Sequence, residues 1–308
     1  MDGAGSRHTL DRTPPPLWGR PGGGDDKHRA FGYLPLMTTR PRRPSILARM
    51  PWWLLAIGLL FVLGFWAITA DGTYSDIFKK LSGGVLTTLW VTLIAFGLAT
   101  VLGLVIALAR TSGHRVLREI ATFYVEIIRG IPILVFLFYI AFVAAPGMVA
   151  GFNWVTAPVI ELGWLAPATV RGFDFAWRAI LALTICYSAF IAEILRAGIE
   201  AVDRGQIEAA RALGLSRMQC FRFIVMPQAL RTILPPLGND FVSMVKDSAL
   251  VSALGVQDIT QLGKLHAASS FQFFETYNVV AFLYLTMTIS LSLLVRWLET
   301  ALARKDRR

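Results

Sequence analysis

Lys246-Asp247-Ser248 sets an ammonium beside a carboxylate and a hydroxyl within an otherwise apolar stretch. Glu193 is a second isolated carboxylate in apolar surroundings. Glu126 and Arg129 stand three residues apart, a spacing that pairs charges on a helix, just before Gly130-Ile131-Pro132. These groups suit binding or bracing. The constellations of covalent and hydrolytic catalysis are missing from the sequence. The Gly263-Lys264 pair is followed by Leu265 and lacks the upstream glycine of a phosphate loop. His8, His28, His114 and His266 do not form an HExxH pattern, and no Gly-x-Ser-x-Gly elbow occurs. Cys186 and Cys220 have neither CxxC nor metal-site spacing, and a disulfide between them is not expected. No metal site and no cofactor is therefore assigned to this chain.

The elements that must position these groups follow from composition. Of 308 residues 55% are apolar and 16% charged, with mean hydropathy +0.56, outside the range of soluble domains. A hydrocarbon core of about 30 Å needs about 20 apolar residues per helix. Six stretches qualify: Trp52–Ala70, Val85–Ala109, Ile131–Ala150, Ala179–Leu195, Ala229–Leu254 and Val279–Leu298. The fifth contains Pro235, Pro236, Gly238 and Asn239 and is expected to be broken or kinked there. The fold class is an all-α polytopic membrane protein with six transmembrane helices. In such a chain, each charge at the centre of a span costs at least ~2.5 kcal/mol, so the groups named above are functional candidates. Glu193 could instead pair with Arg196, one turn later.

The net charge of +10 would suit nucleic acid in a soluble protein, but its distribution excludes that partner. Alternate connections hold 23 Lys and Arg against 5, which predicts both termini and the 196–231 loop on the cytoplasmic side. That requires an even number of spans. Residues 1–50 read as a disordered basic tail; Asp2–Leu36 is rich in Pro, Gly and charge, and Met37 is the expected natural start. Residues 301–308 form a second basic tail.

The 196–231 loop has helical punctuation. A short helix over about Gln206–Leu213 stops at Gly214, suited to a left-handed position. Ser216 and Gln219 have capping-box spacing, and a second helix runs to Pro227. Met218, Phe221, Ile224 and Val225 are expected on one face. Such a unit is either an interfacial helix or a docking element for a cytoplasmic partner.

Glu208-Ala209-Ala210, Gly214, Ile224 and Met226-Pro227, in this spacing, resemble the EAA motif of ABC importer permeases. Met226 stands where that pattern usually has Leu. Thr87–Leu93, Tyr124–Pro132, Pro227–Arg231 and Leu234–Phe241 running into Lys246-Asp247-Ser248 narrow the resemblance to the polar and general amino-acid uptake branch. It covers Leu81 to Arg304, with residues 82–300 as the five-helix importer domain and 51–71 as an extra N-terminal helix.

The resemblance implies a permease subunit in the bacterial inner membrane. Its implied partners are an ABC ATPase dimer using ATP and Mg, a second permease (same or paralogous) and an extracytoplasmic amino-acid-binding protein. It also assigns ATPase coupling to Glu208, Ala209, Ala210, Gly214, Ser216, Ile224 and Pro227. Lys246, Asp247, Ser248 and Glu193 become candidates for a path taken by a zwitterionic amino acid, or Lys246 and Asp247 for an interface brace. Glu126, Arg129, Gly130 and Pro132 are the structural bracing candidates. A secondary amino-acid transporter working without an ATPase is the alternative, disfavoured by the absence of visible internal repeats.

Overall fold

The computed structural model describes residues 52–305, and those residues are helices and short connections. The expected 1–50 tail, its proposed start at Met37 and the end of the 301–308 tail lie outside the described residues. Helix α1 (Trp52–Ala70) turns at Asp71, whose side chain caps α2 (Gly72–Arg110) through the Thr73 amide at 2.8 Å. Then come α3 (Arg115–Gly130), α4 (Ile133–Tyr139), a widened π-turn (Ile140–Ala144), α5 (Ala145–Val155) and α6 (Ala157–Glu161). The central helix α7 (Phe175–Glu200) leads to α8 (Arg204–Ala212) and α9 (Arg217–Cys220). Last are α10 (Met226–Asp247), α11 (Ile259–Ser270) and α12 (Phe273–Lys305).

Among the described residues, four helical stretches are long and apolar enough to cross a bilayer: 72–110, 133–155, 175–200 and 273–301. The other two expected spans are helices of a different kind. α1 is an apolar helix of 19 residues, and α10 is 22 residues long but carries Asn239, Asp240, Lys246 and Asp247.

Small residues explain why α7 is central. Ala95, Ala99, Gly103 and Ala107 recur every four residues on α2 and are buried, which lets the two helix axes approach closely. A Cβ on Gly103 would lie 2.9 Å from Ile191 Cγ2 and 3.0 Å from the Ser188 carbonyl of α7. At the other end of α2, Gly84 lies against the backbone of Asp258 and Ile259, where α11 begins. Asp258 is fully buried there; its carboxylate accepts from the Gln261 amide at 2.8 Å and the Tyr284 hydroxyl at 3.0 Å. The α11–α12 hairpin is thereby fixed to α2.

The chain breaks at one proline and runs helically through two others. The break before Pro132 is present, with Ile131 and Pro132 extended between α3 and α4. The break at Pro235–Asn239 is not, since α10 continues through both prolines. Proline's fixed φ is compatible with a helix, and the adjacent pair removes only two consecutive amide donors. The irregularity comes later, as a 3-10 turn over Ser248–Leu254 ended by Gly255 at φ +81°.

Candidate functional site

Helix α8 begins when Asp203 accepts from the Gly205 amide at 2.7 Å, two residues ahead of the expected start. Glu208 therefore occupies the second turn, and its side chain is exposed. The helix ends in a Schellman closure: the Gly214 amide donates to the Arg211 carbonyl at 2.9 Å, and the Leu215 amide to Ala210 at 3.2 Å. Gly214 has φ +85°, as its position in that motif requires. Ser216 and Gln219 then form a reciprocal capping box, at 2.8 and 3.3 Å.

The second helix departs from its expected shape. After α9 the chain widens into a π-turn over Phe221–Val225 and enters α10 without interruption, so the second helix does not end at Pro227 but passes through it. The wider turn alters the side-chain repeat. Val225 is buried while Met218 is 72% exposed, and the four expected apolar residues do not share a face. Instead Leu213 (82% exposed), Met218 and Phe223 project from the unit, among exposed Arg204, Arg211, Arg217 and Arg222. Ala210, Cys220 and Val225 are buried beneath them, and Ile224 is half-buried. The Gln228 amide nitrogen bridges the two arms, donating to Gln206 Oε1 at 2.6 Å and to the Ile224 carbonyl at 3.0 Å.

The unit emerges from an anchored helix end. Glu193 on α7 is held between Arg196, its expected partner, and Arg110 at the end of α2; Arg196 also pairs with Glu200. Arg110 was not singled out from the sequence, although it is the cation that closes its span. Glu193 is thus committed to a charge network at the loop end of α7. Glu126 and Arg129 form no ion pair with each other, correcting the pairing expectation. Both are exposed, and the Arg129 guanidinium lies 5.5 Å from the Phe190 ring centroid instead.

Lys246 and Asp247 also diverge, because successive residues on a helix point about 100° apart. Asp247 accepts from the Tyr187 hydroxyl of α7 at 2.7 Å. Lys246 is exposed on another side, and buried Ser248 donates back to the Val245 carbonyl at 2.7 Å. Glu193 lies six residues from Tyr187 on the same helix, about 9 Å along its axis, so it does not join this group. Asp240, one helical turn pair before Asp247, has a buried Oδ2 without a hydrogen-bond partner among the described residues. Tyr187 and Asp240 carried no local sequence signal. Both cysteines are free and buried.

The unit thus presents an exposed apolar tip ringed by cations, on arms whose starts are fixed by the Asp203 and Ser216 caps. Comparison with known proteins places this geometry in a family. Residues 99–308 match the family described as binding-protein-dependent transport system inner membrane component, a stretch that contains all of α8 to α10. The chain is 36% identical over 231 residues to the probable glutamine ABC transporter permease protein GlnM of Bacillus subtilis, covering 74% of this chain and 96% of that one. It is 35% identical over 216 residues to the glutamine transport system permease protein GlnP of Escherichia coli, covering 70% and 90%. A solved amino acid ABC transporter chain, crystallised with histidines, is 33% identical and superposes with a TM-score of 0.61 over 76% of this chain and 98% of that one. The chain belongs to the binding-protein-dependent transport system inner membrane components, as a membrane permease subunit of an ABC importer rather than an enzyme.

Proposed function

We propose that this permease carries amino acids inward across a bacterial cytoplasmic membrane, driven by ATP hydrolysis on separate ATPase subunits. The observation that carries the reading is the 204–225 unit: a first short arm closed at both ends, and a second capped at its start and continuous with α10. Its stiffness suits it to transmit closure of an ATPase dimer to the spans as a rigid movement. Glu208, Ala209, Gly214 and Ser216 form its exposed contour, with Leu213 and Met218 as apolar contacts for the partner. Buried Ala210 and half-buried Ile224 lie beneath that contour, and exposed Pro227 lies where the unit runs into α10.

Six spans, with α1 and α10 completing the four long apolar helices, put both termini in the cytoplasm. The excess of Lys and Arg on alternate connections supports that orientation. Exposed Lys246 and Asn239 recur seven residues apart on α10. A lysine facing lipid at this depth costs roughly 2.5–3.5 kcal/mol, so this face belongs against a second permease or a watery path between the two. Asp247, turned toward Tyr187, and buried Ser248 stand behind that face and complete the proposed substrate route. Glu193 is assigned to the anchoring network instead. Glu126, Arg129, Gly130 and Pro132 brace the bent third span. Amino acid specificity is supported by the names of the relatives, and an extracytoplasmic binding protein delivers the substrate. ATP and Mg act on the partner, and this chain needs no cofactor of its own.

Reconstitution tests the reading. Vesicles containing the permease, its ATPase and the binding protein are expected to accumulate a labelled amino acid only with ATP enclosed on the ATPase side. Accumulation driven by an ion gradient in vesicles lacking the ATPase would support the secondary-transporter alternative and overturn this one.

A further inference from the structure

We propose that the cavity at the start of α7 binds the headgroup of a phospholipid bearing both a phosphate and an ammonium. Arg178 is 5% exposed, yet among the described residues no carboxylate lies within ion-pair distance of it. Its Nε donates to the Phe173 carbonyl at 2.7 Å, Nη1 to Ala141 at 3.1 Å, and Nη2 to Val170. The Phe175 ring centroid lies 4.6 Å from the guanidinium carbon. The Ala141 bond has a local cause. The Ala145 amide is taken by the Ile140 carbonyl in the widened turn, and the next residue, Pro146, has no amide to offer.

Carbonyl dipoles and an aromatic face orient this cation without neutralising it, and an unneutralised buried charge is unfavourable. The guanidinium keeps further N–H groups beyond the three used, and it lines a cavity of about 410 Å³ with exposed Arg171 and Asp174. Two guanidinium groups in one cavity favour a phosphate, to which their planar forks are matched. Asp174 supplies the opposite charge for an ammonium.

Position selects a lipid as the source. The cavity lies at the first turn of a span, hence at headgroup depth. Below it, half-exposed Phe175, Phe142 and Phe138 form a strip with ring centroids 6.0 and 6.1 Å apart. Phe138 lies one helical turn from Phe142, toward the interior of the third span. A charged cavity continued by an apolar strip has the polarity sequence of an amphiphile.

The complete importer, purified in mild detergent, would be offered phosphatidylethanolamine, phosphatidylglycerol or inorganic phosphate, with bound lipid read by native mass spectrometry. Wild type is expected to retain phosphatidylethanolamine, and Arg171→Gln with Asp174→Asn to lower its occupancy about tenfold, through loss of charged hydrogen bonds. Arg178→Lys is expected to lower it further. Should that buried variant fail to assemble, the exposed double variant decides alone. Unchanged occupancy in the double variant, equal retention of phosphatidylglycerol, or displacement of lipid by inorganic phosphate would each overturn the proposal.

Discussion

Valine in place of Gly214 is expected to reduce ATP-driven uptake about tenfold or more while leaving the chain in the membrane, a loss corresponding to 1.4 kcal/mol or more. A Cβ at this position would meet nothing within 4 Å, so crowding is not the cause. The backbone is. At φ +85° an L-residue is strained, by roughly 1–2 kcal/mol for an unbranched side chain and more for a β-branched one. Relieving that strain opens the Schellman closure and releases the two amides that donate to Arg211 and Ala210. The two arms then lose their fixed angle, and the unit bends where it should push. Asparagine, which tolerates left-handed backbone, is expected to retain most uptake, with alanine intermediate between it and valine. Uptake and ATPase activity measured together in reconstituted vesicles check the series. Equal activity in all three variants would mean that the turn transmits nothing.

The largest effect on assembly is expected at Gly84. Here a Cβ would fall 2.6 Å from the Ile259 amide nitrogen and 2.7 Å from the Asp258 carbonyl carbon. Both are backbone atoms at a buried helix start, so neither can swing aside. Alanine ordinarily gains about 1 kcal/mol over glycine in a helix. Overpacking costs typically 1–3 kcal/mol and more when backbone must move, so the overlap wins. Gly84→Ala is expected to lower the thermal midpoint of the purified importer, and Gly84→Leu to abolish its recovery. Gly97, on the same helix with nothing within 4 Å of its would-be Cβ, is the control: Gly97→Ala is expected to leave the midpoint unchanged or raise it. A fall as large at Gly97 as at Gly84 would refute the packing argument.

The 204–225 unit was legible because its geometry is set by nearby residues. Gly214, Ser216 and Gln219 each act within a few positions, and each adopts the backbone state its chemistry favours. The π-turn at Phe221–Val225 was not legible. It has no punctuation residue, and it moved Met218 away from the face it was expected to share. Contacts across helices were equally hidden: Arg110 meets Glu193 and Tyr187 meets Asp247 through separations of 83 and 60 residues. Lys246 and Asp247 illustrate the opposite error, since neighbours in sequence diverge on a helix. α10 runs through Pro235 and Pro236 because a helix tolerates the loss of two consecutive amide donors when the flanking bonds hold. The four-residue recurrence of small residues on α2 was readable, and its meaning emerged only once α7 was seen beside it.

Cysteine cross-linking at the tip of the unit tests the central claim most directly. In a chain with Cys186 and Cys220 replaced by alanine, a cysteine at Leu213 or Met218 should join the copurified ATPase through a short bifunctional reagent. The same cysteine should resist a membrane-impermeant thiol reagent added outside intact cells. Labelling from outside, or uptake unaffected when the tip is blocked from within, would contradict the account.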